Sequence, residues 1–170
     1  MKYYKDKDHI KTFLRYPGNK SKLLKHIIRY VPQEFSTYYE PFLGSGAVFL
    51  AIQPEKAVLG DINRDVINVW TQVKENPDAL YQLCKQLTEE LIAITDKTEK
   101  LKWAREKTKQ LNEKETYDLE RAGLYLFLTQ CSYMGRLTKK SYGYYFKSFD
   151  ITNSNCYTFL NAYKSKIISS

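Results

Sequence analysis

A chain of 170 residues with 43% hydrophobic content can bury one core, so one domain, or one domain with a subdomain, is the expected organisation. Its three cysteines (Cys84, Cys131 and Cys156) form no CxxC pair or Cys/His cluster, which disfavours a disulfide framework or a structural zinc, and its longest apolar stretch, Ala122 to Leu128, is far short of a membrane span. The net charge of +8 is unevenly spread: residues 1–30 carry nine Lys/Arg against two Asp, residues 134–170 carry six against one, and the middle carries twelve against sixteen acidic groups. Basic ends suit a polyanion if they meet in space, and are merely solvated if they do not. The expected setting is reducing, intracellular and cytoplasmic.

Residues 1–12 are polar and are expected to be loosely docked. A short extended piece and turn follow at 13–20, then a helix from Lys20 or Ser21 whose apolar face is Leu23, Leu24, Ile27, Ile28 and Val31, ending at Pro32. Thr37 to Phe42 reads as a strand, Ser45 or Gly46 to Ile52 as a short helix, and Lys56 to Gly60 as a second strand. Arg64 to Lys74 is a predicted helix with Val66, Ile67, Trp70 and Val73 on one side. Asn76-Pro77 reads as an N-cap and first-turn pair, opening a helix with Leu80, Leu83/Cys84, Leu87, Leu91 and Ile94 at near-heptad spacing. A charged helix over 96–113 precedes one from Thr116 to about Tyr133 that is apolar nearly all round and should be central. Arg136 to Phe149 reads as a hairpin or ordered loop turning at Gly143, and Thr152 to Ile168 as a last amphipathic helix. Strands alternate with helices up to about residue 75 and a mostly helical region follows, so the chain reads as the first part of a doubly wound α/β fold.

The chemistry concentrates in Glu40-Pro41-Phe42-Leu43-Gly44-Ser45-Gly46 and in Asp61, fifteen residues beyond Gly46. Glycines at the end of a strand let the chain turn tightly and let backbone approach a ligand; helix amides beyond the turn favour an anionic group. A carboxylate at the end of the next strand can accept both hydroxyls of a ribose. The plainer reading is a structural turn and a helix-capping Asp. A nicotinamide-binding domain is disfavoured, because Ala47-Val48-Phe49 follow Gly46 where G-x-G-x-x-G would need its third glycine.

Phe13 to Lys20, Tyr39 to Leu50 and Gly60 to Ile67 together resemble one family, the Dam-type (D12 class) DNA adenine N6-methyltransferases. Phe13-Leu14-Arg15-Tyr16-Pro17-Gly18-Asn19-Lys20 is similar to the family's N-terminal cofactor motif, Tyr39 to Leu50 to its EPFxGxGxVFL segment, and Gly60 to Ile67 to its xDxNxxLI segment. Leu126 to Arg136 is a looser match to the family's target-recognition stretch, with Thr129-Gln130 and Met134 in place of the expected residues. The resemblance implies S-adenosylmethionine as cofactor, in a partial Rossmann-like methyltransferase fold with a mostly helical target-recognition subdomain. Residues 1–75 would be the cofactor-binding part, 76–150 the recognition subdomain and 151–170 a C-terminal helix. Tyr16 would contact the cofactor with its ring and Lys20 its carboxylate. Phe42, Gly44 and Gly46 would line its methionine side, beside Glu40, and Asp61 would hold its ribose.

The resemblance also implies a motif that these residues lack. The family transfers its methyl group at Asp-Pro-Pro-Tyr, but the five prolines here (17, 32, 41, 54 and 77) are never adjacent. The expectation is therefore a subunit that needs a partner chain carrying that motif, and alternatively a non-catalytic DNA-binding or regulatory protein. Double-stranded DNA is the expected partner. Arg136, Lys139, Lys140 and Lys147 alternate with Tyr142, Tyr144, Tyr145 and Phe146, which puts cations for phosphates beside rings for bases. His9 and His26 have no ligand-spaced neighbours and are read as non-catalytic.

Overall fold

The first half of the chain is built around one strand–helix–strand unit. In the computed structural model, which describes residues 12–141 and 143–146, β1 (Tyr38–Glu40) and β2 (Ala57–Leu59) pair in parallel with Tyr39 opposite Val58, and α2 (Ala47–Ile52) connects them. Both strands are shorter than their apolar runs predict. The pairing nonetheless extends past them: Tyr38 N–H donates to Lys56 O (2.9 Å), Gly60 N–H to Glu40 O (2.8 Å) and Leu43 N–H to Gly60 O (2.8 Å). The α/β character is thus present, in a two-stranded parallel sheet and a separate two-stranded antiparallel one.

The helix predicted before β1 is broken. A single α-turn, α1 (Leu24–Ile27), is flanked by 3₁₀ turns at Ser21–Leu23 and Ile28–Tyr30. A 3₁₀ turn advances about 120° per residue rather than 100°, so five apolar positions cannot share one face. Leu24 and Ile28 are buried against Ala47, Ala51 and Ile52 of α2, whereas Leu23 is 51% exposed.

Four helices make up the larger core. They are α3 (Arg64–Glu75), α4 (Pro77–Ala93), α5 (Lys97–Glu113) and α6 (Leu119–Cys131). As its composition predicts, α6 is central: every residue from Arg121 to Cys131 is buried, and α3, α4 and α5 all pack on it. Asp96 and Asp118 cap α5 and α6 by accepting from Glu99 N–H and Arg121 N–H, each at 2.9 Å. Asn76 and Pro77 take the N-cap and first-turn positions of α4 as expected, but the Asn76 side chain makes no capping bond; its amide donates to Gln72 Oε1 at the end of α3 instead (2.9 Å). On α3 the buried apolar side chains are Val66 and Val69, while Ile67, Trp70 and Val73 are only partly covered. The buried cysteine Cys84 lies in α4, where burial pushes its thiol up to about 12. Trp103 of α5 stands edge-on to Phe127 of α6, with ring centroids 5.7 Å apart.

After a 3₁₀ turn at Tyr133–Gly135, β3 (Leu137–Lys140) and β4 (Gly143–Phe146) form the expected hairpin, with Lys139 opposite Tyr144. Among the described residues no helix is long and apolar enough to cross a membrane. The expected C-terminal helix over 152–168, the N-terminal segment 1–11 with His9, and Cys156 lie outside the described residues.

Candidate functional site

At the carboxyl ends of β1 and β2 the chain leaves a cleft of about 260 Å³. It is lined by Tyr16, Pro17, Gly18, Asn19 and Lys20 from the segment before α1, by Glu40, Phe42, Leu43, Gly44, Ser45 and Ala47 from the turn after β1, and by Asp61 and Ile62 after β2. Six of the seven residues singled out in the sequence therefore share one cleft. The seventh, Gly46, sits behind the turn.

The turn is built around an indole. Gly44 and Gly46 have φ of +48° and +65°, left-handed values that residues with a Cβ resist. A Cβ on Gly46 would lie 2.3 Å from Trp70 Cζ2, inside the ring. Trp70 cannot easily yield: it packs edge-on to Phe13 (4.8 Å) and Phe49 (5.8 Å), and its Nε1–H donates to Gly44 O (3.2 Å). Gly44 has its own close neighbour, since a Cβ there would meet Tyr16 Cδ1 at 3.1 Å. The helix expected to offer its amides beyond the turn has only six residues, and Phe49 N–H already donates to Glu40 Oε2 (3.2 Å).

Asp61 ties the turn to the second strand. Its Oδ2 accepts from Gly44 N–H (2.8 Å) and its Oδ1 from Asn63 N–H (2.9 Å). Each carboxylate oxygen has capacity for a further bond, so holding the turn and accepting ligand hydroxyls are compatible. Lys20 is exposed at the other wall, its ammonium donating to Gly18 O (2.7 Å). Glu40 is half-buried. Burial raises its carboxyl above the ordinary value, against hydrogen bonds from Tyr38 O–H and Phe49 N–H and the Lys20 charge. Phe42 (85% exposed) and Ile62 (96%) add apolar surface at the rim.

The hairpin carries the second candidate surface. Arg136, Lys139 and Lys140 are exposed, with Lys139 Nζ 5.3 Å from the Tyr144 ring centre and Lys140 Nζ 5.0 Å from that of Tyr145. Tyr142 and Lys147 lie outside the described residues. Tyr144 does not serve as the platform for bases that its place in the sequence suggests, because it is only 4% exposed and points inward. Its hydroxyl donates to Asp65 Oδ2 (2.8 Å) and lies 3.2 Å from Asn63 Oδ1. Burial and the neighbouring Asp65 charge raise its ionisation well above the ordinary tyrosine range, so it remains a donor.

Behind it lies a buried ion pair that reading the sequence did not find. Arg121 Nε and Nη2 donate to the two oxygens of Asp65 at 2.6 and 3.0 Å, while Nη1 donates to Leu111 O (2.9 Å) and to Lys114 O. Burial opposes the guanidinium charge, but the hydrogen bond and charge of Asp65 outweigh it and hold Arg121 above its ordinary value. Asn63 completes the arrangement. Its Oδ1 accepts from Asp65 N–H (3.0 Å) at the start of α3, and its Nδ2 donates to Tyr125 Oη (3.1 Å). One signal is available: an arginine in the first turn of a mostly apolar central helix must be paired wherever it is buried.

Comparison with known proteins identifies the family. The family model for D12 class N6 adenine-specific DNA methyltransferases matches residues 16–169. The DNA adenine methylase of Haemophilus influenzae is 33% identical over 125 residues, covering 74% of this chain and 42% of that protein. The Type II methyltransferase M1.LlaDCHI of Lactococcus lactis is 39% identical over 79 residues, 46% of this chain and 28% of its own length. The Type II methyltransferase M.MjaIII of Methanocaldococcus jannaschii is 29% identical over 143 residues, 77% of this chain and 50% of its own. The chain thus spans half or less of the length of these relatives. With the match running from the cleft residue Tyr16 through the hairpin, the chain belongs to the D12 class of N6 adenine-specific DNA methyltransferases.

Proposed function

We propose that the chain forms the S-adenosylmethionine-binding and DNA-contacting part of an enzyme that methylates adenine N6 in double-stranded DNA. The observation that carries this reading is the shared cleft: Tyr16, Lys20, Glu40, Phe42, Gly44 and Asp61 line it at the carboxyl ends of parallel strands. The donor set suits the cofactor. Asp61 has acceptor capacity for ribose hydroxyls and Lys20 is a cation for the carboxylate. Glu40 supplies negative charge, and the Tyr16, Phe42 and Ile62 side chains supply apolar surface. Gly46 shapes the turn from behind. When bound, S-adenosylmethionine supplies an electrophilic methyl group; the residues here bind and orient it.

In this reading residues 1–75 are the cofactor part of a Rossmann-like fold and 76–150 the recognition part. Arg136, Lys139 and Lys140, together with Tyr142 and Lys147, take the phosphate backbone. The groups that hold the acceptor adenine are an Asp-Pro-Pro-Tyr motif, which does not occur in these 170 residues and which we assign to polypeptide outside them. The test is titration calorimetry with S-adenosylmethionine, followed by transfer of labelled methyl to an adenine-containing duplex. The assays use the chain alone and the chain with a polypeptide bearing that motif. Cofactor binding, background transfer alone and adenine methylation on addition are expected. A folded chain that binds no S-adenosylmethionine overturns the reading. Binding of cofactor and DNA with no transfer in any combination favours a regulatory role instead.

A further inference from the structure

We infer that the Tyr144 hydroxyl couples the cleft to the hairpin, so that a nucleoside-bearing ligand in one and a DNA duplex on the other bind cooperatively. The inference rests on the function proposed above, and it concerns the segment from Asp61 to Asp65. At one end of that segment the Asp61 carboxylate holds Gly44 N–H in the wall of the cleft (2.8 Å). At the other end the Asp65 carboxylate accepts from Tyr144 O–H (2.8 Å). Between them Asn63 donates its N–H to Asp61 Oδ1 (2.9 Å), caps α3 at Asp65 N–H (3.0 Å), and stands 3.2 Å from Tyr144 Oη. Tyr144 is the cross-strand partner of Lys139, whose ammonium lies 5.3 Å from its ring. A phosphate held by Lys139 and a ligand held by Asp61 thus act on opposite ends of one chain of contacts, hydrogen-bonded from Gly44 and Asp61 to the Tyr144 hydroxyl and completed by the Lys139 ammonium over the Tyr144 ring. Whichever binds first orders the segment that the other needs, which favours the second.

The fold allows this link to be cut without undocking the hairpin. Asn112 grips Tyr144 by its backbone, accepting from Tyr144 N–H (2.6 Å) and donating to Tyr144 O (2.9 Å). Asp65 remains paired with Arg121 when the hydroxyl is gone. Tyr144→Phe therefore removes the connection and leaves its two ends in place.

The experiment is calorimetric titration of the 170-residue chain with S-adenosylhomocysteine, which has no methyl to transfer, with and without a saturating mixed-sequence duplex at low salt. In the wild type the duplex should tighten binding by about 5-fold or more, the lower end of ordinary coupling between sites. In Tyr144→Phe, checked for a cooperative urea transition, the duplex should change the affinity by less than about 2-fold, while each ligand alone binds as before. If Tyr144→Phe fails to fold, the wild-type ratio alone still tests the inference. A merely structural role would lower the urea midpoint and leave the coupling ratio unchanged. Equal coupling in wild type and variant, or a wild-type ratio of one or below, overturns the inference. If the wild type binds only one ligand or neither, the proposed function fails and the inference falls with it.

Discussion

Replacing Gly46 by alanine tests the claim that the turn is shaped by Trp70. Two costs add. A residue with a Cβ held at φ +65° loses roughly 1–2 kcal/mol relative to its preferred backbone. The new methyl would also lie 2.3 Å from Trp70 Cζ2, where overpacking against a wedged side chain costs about 1–3 kcal/mol. The ring is held between Phe13 and Phe49 and by its bond to Gly44 O, so relief must come from moving the turn itself. The expected loss is about 2–5 kcal/mol, which at a urea slope of about 2 kcal/mol/M lowers the midpoint by roughly 1–2.5 M. Gly60→Ala is the control, because its Cβ would meet Pro41 Cα at an ordinary 3.7 Å and its φ is not left-handed; it should stay within about 0.5 kcal/mol of wild type. If Gly46→Ala costs less than about 1 kcal/mol, or no more than Gly60→Ala, the indole does not set the turn and the reasoning fails.

Three further outcomes are expected. Asp61→Ala should weaken S-adenosylmethionine binding by about one to two orders of magnitude in calorimetry, the worth of charge-assisted bonds of roughly 1.5–3 kcal/mol; unchanged affinity would remove Asp61 from the site. Replacing Lys139 and Lys140 with alanine should lower the slope of log affinity for duplex against log salt by up to about two, and an unchanged slope would put the DNA surface elsewhere. Burial raises the Glu40 carboxyl above its ordinary 4.5, so the native state holds that proton more tightly than the unfolded chain. Its stabilising contribution is full below 4.5 and is lost as pH rises through the folded value. Glu40→Gln, whose carbonyl can take both bonds now made to Oε2, should therefore match wild type in acid and exceed it in urea stability at pH 7; a reversed order would refute the burial argument.

What could be read from the sequence was whatever local pattern dictates. The glycines of the turn, the carboxylate after the second apolar run and the mostly apolar α6 each follow from residue type and spacing, and they fall where that pattern puts them. Helix type is not local in this way: nothing in Leu23 to Val31 separates α from 3₁₀ turns, so periodicity alone puts Leu23 on a buried face that it does not share. The Asp65–Arg121 pair joins residues 56 apart in the chain, and no periodicity connects them. Tyr144 shows the same limit. Alternation along β4 sends Tyr144 and Tyr145 to opposite faces, but which face turns inward depends on where Asn112 of α5 stands, and that is a tertiary fact.

The chain has two tryptophans, and they stand in different neighbourhoods. Trp103 lies among the helices, donating to Glu90 Oε2 at 3.3 Å. Trp70 donates to the carbonyl of a glycine that lines the cleft. The protein therefore carries its own optical label at the turn. With Trp103 replaced by phenylalanine, the remaining tryptophan emission arises from an indole one hydrogen bond away from the cleft wall. The arrival of a ligand in that cleft can then be timed by stopped-flow fluorescence without attaching a dye.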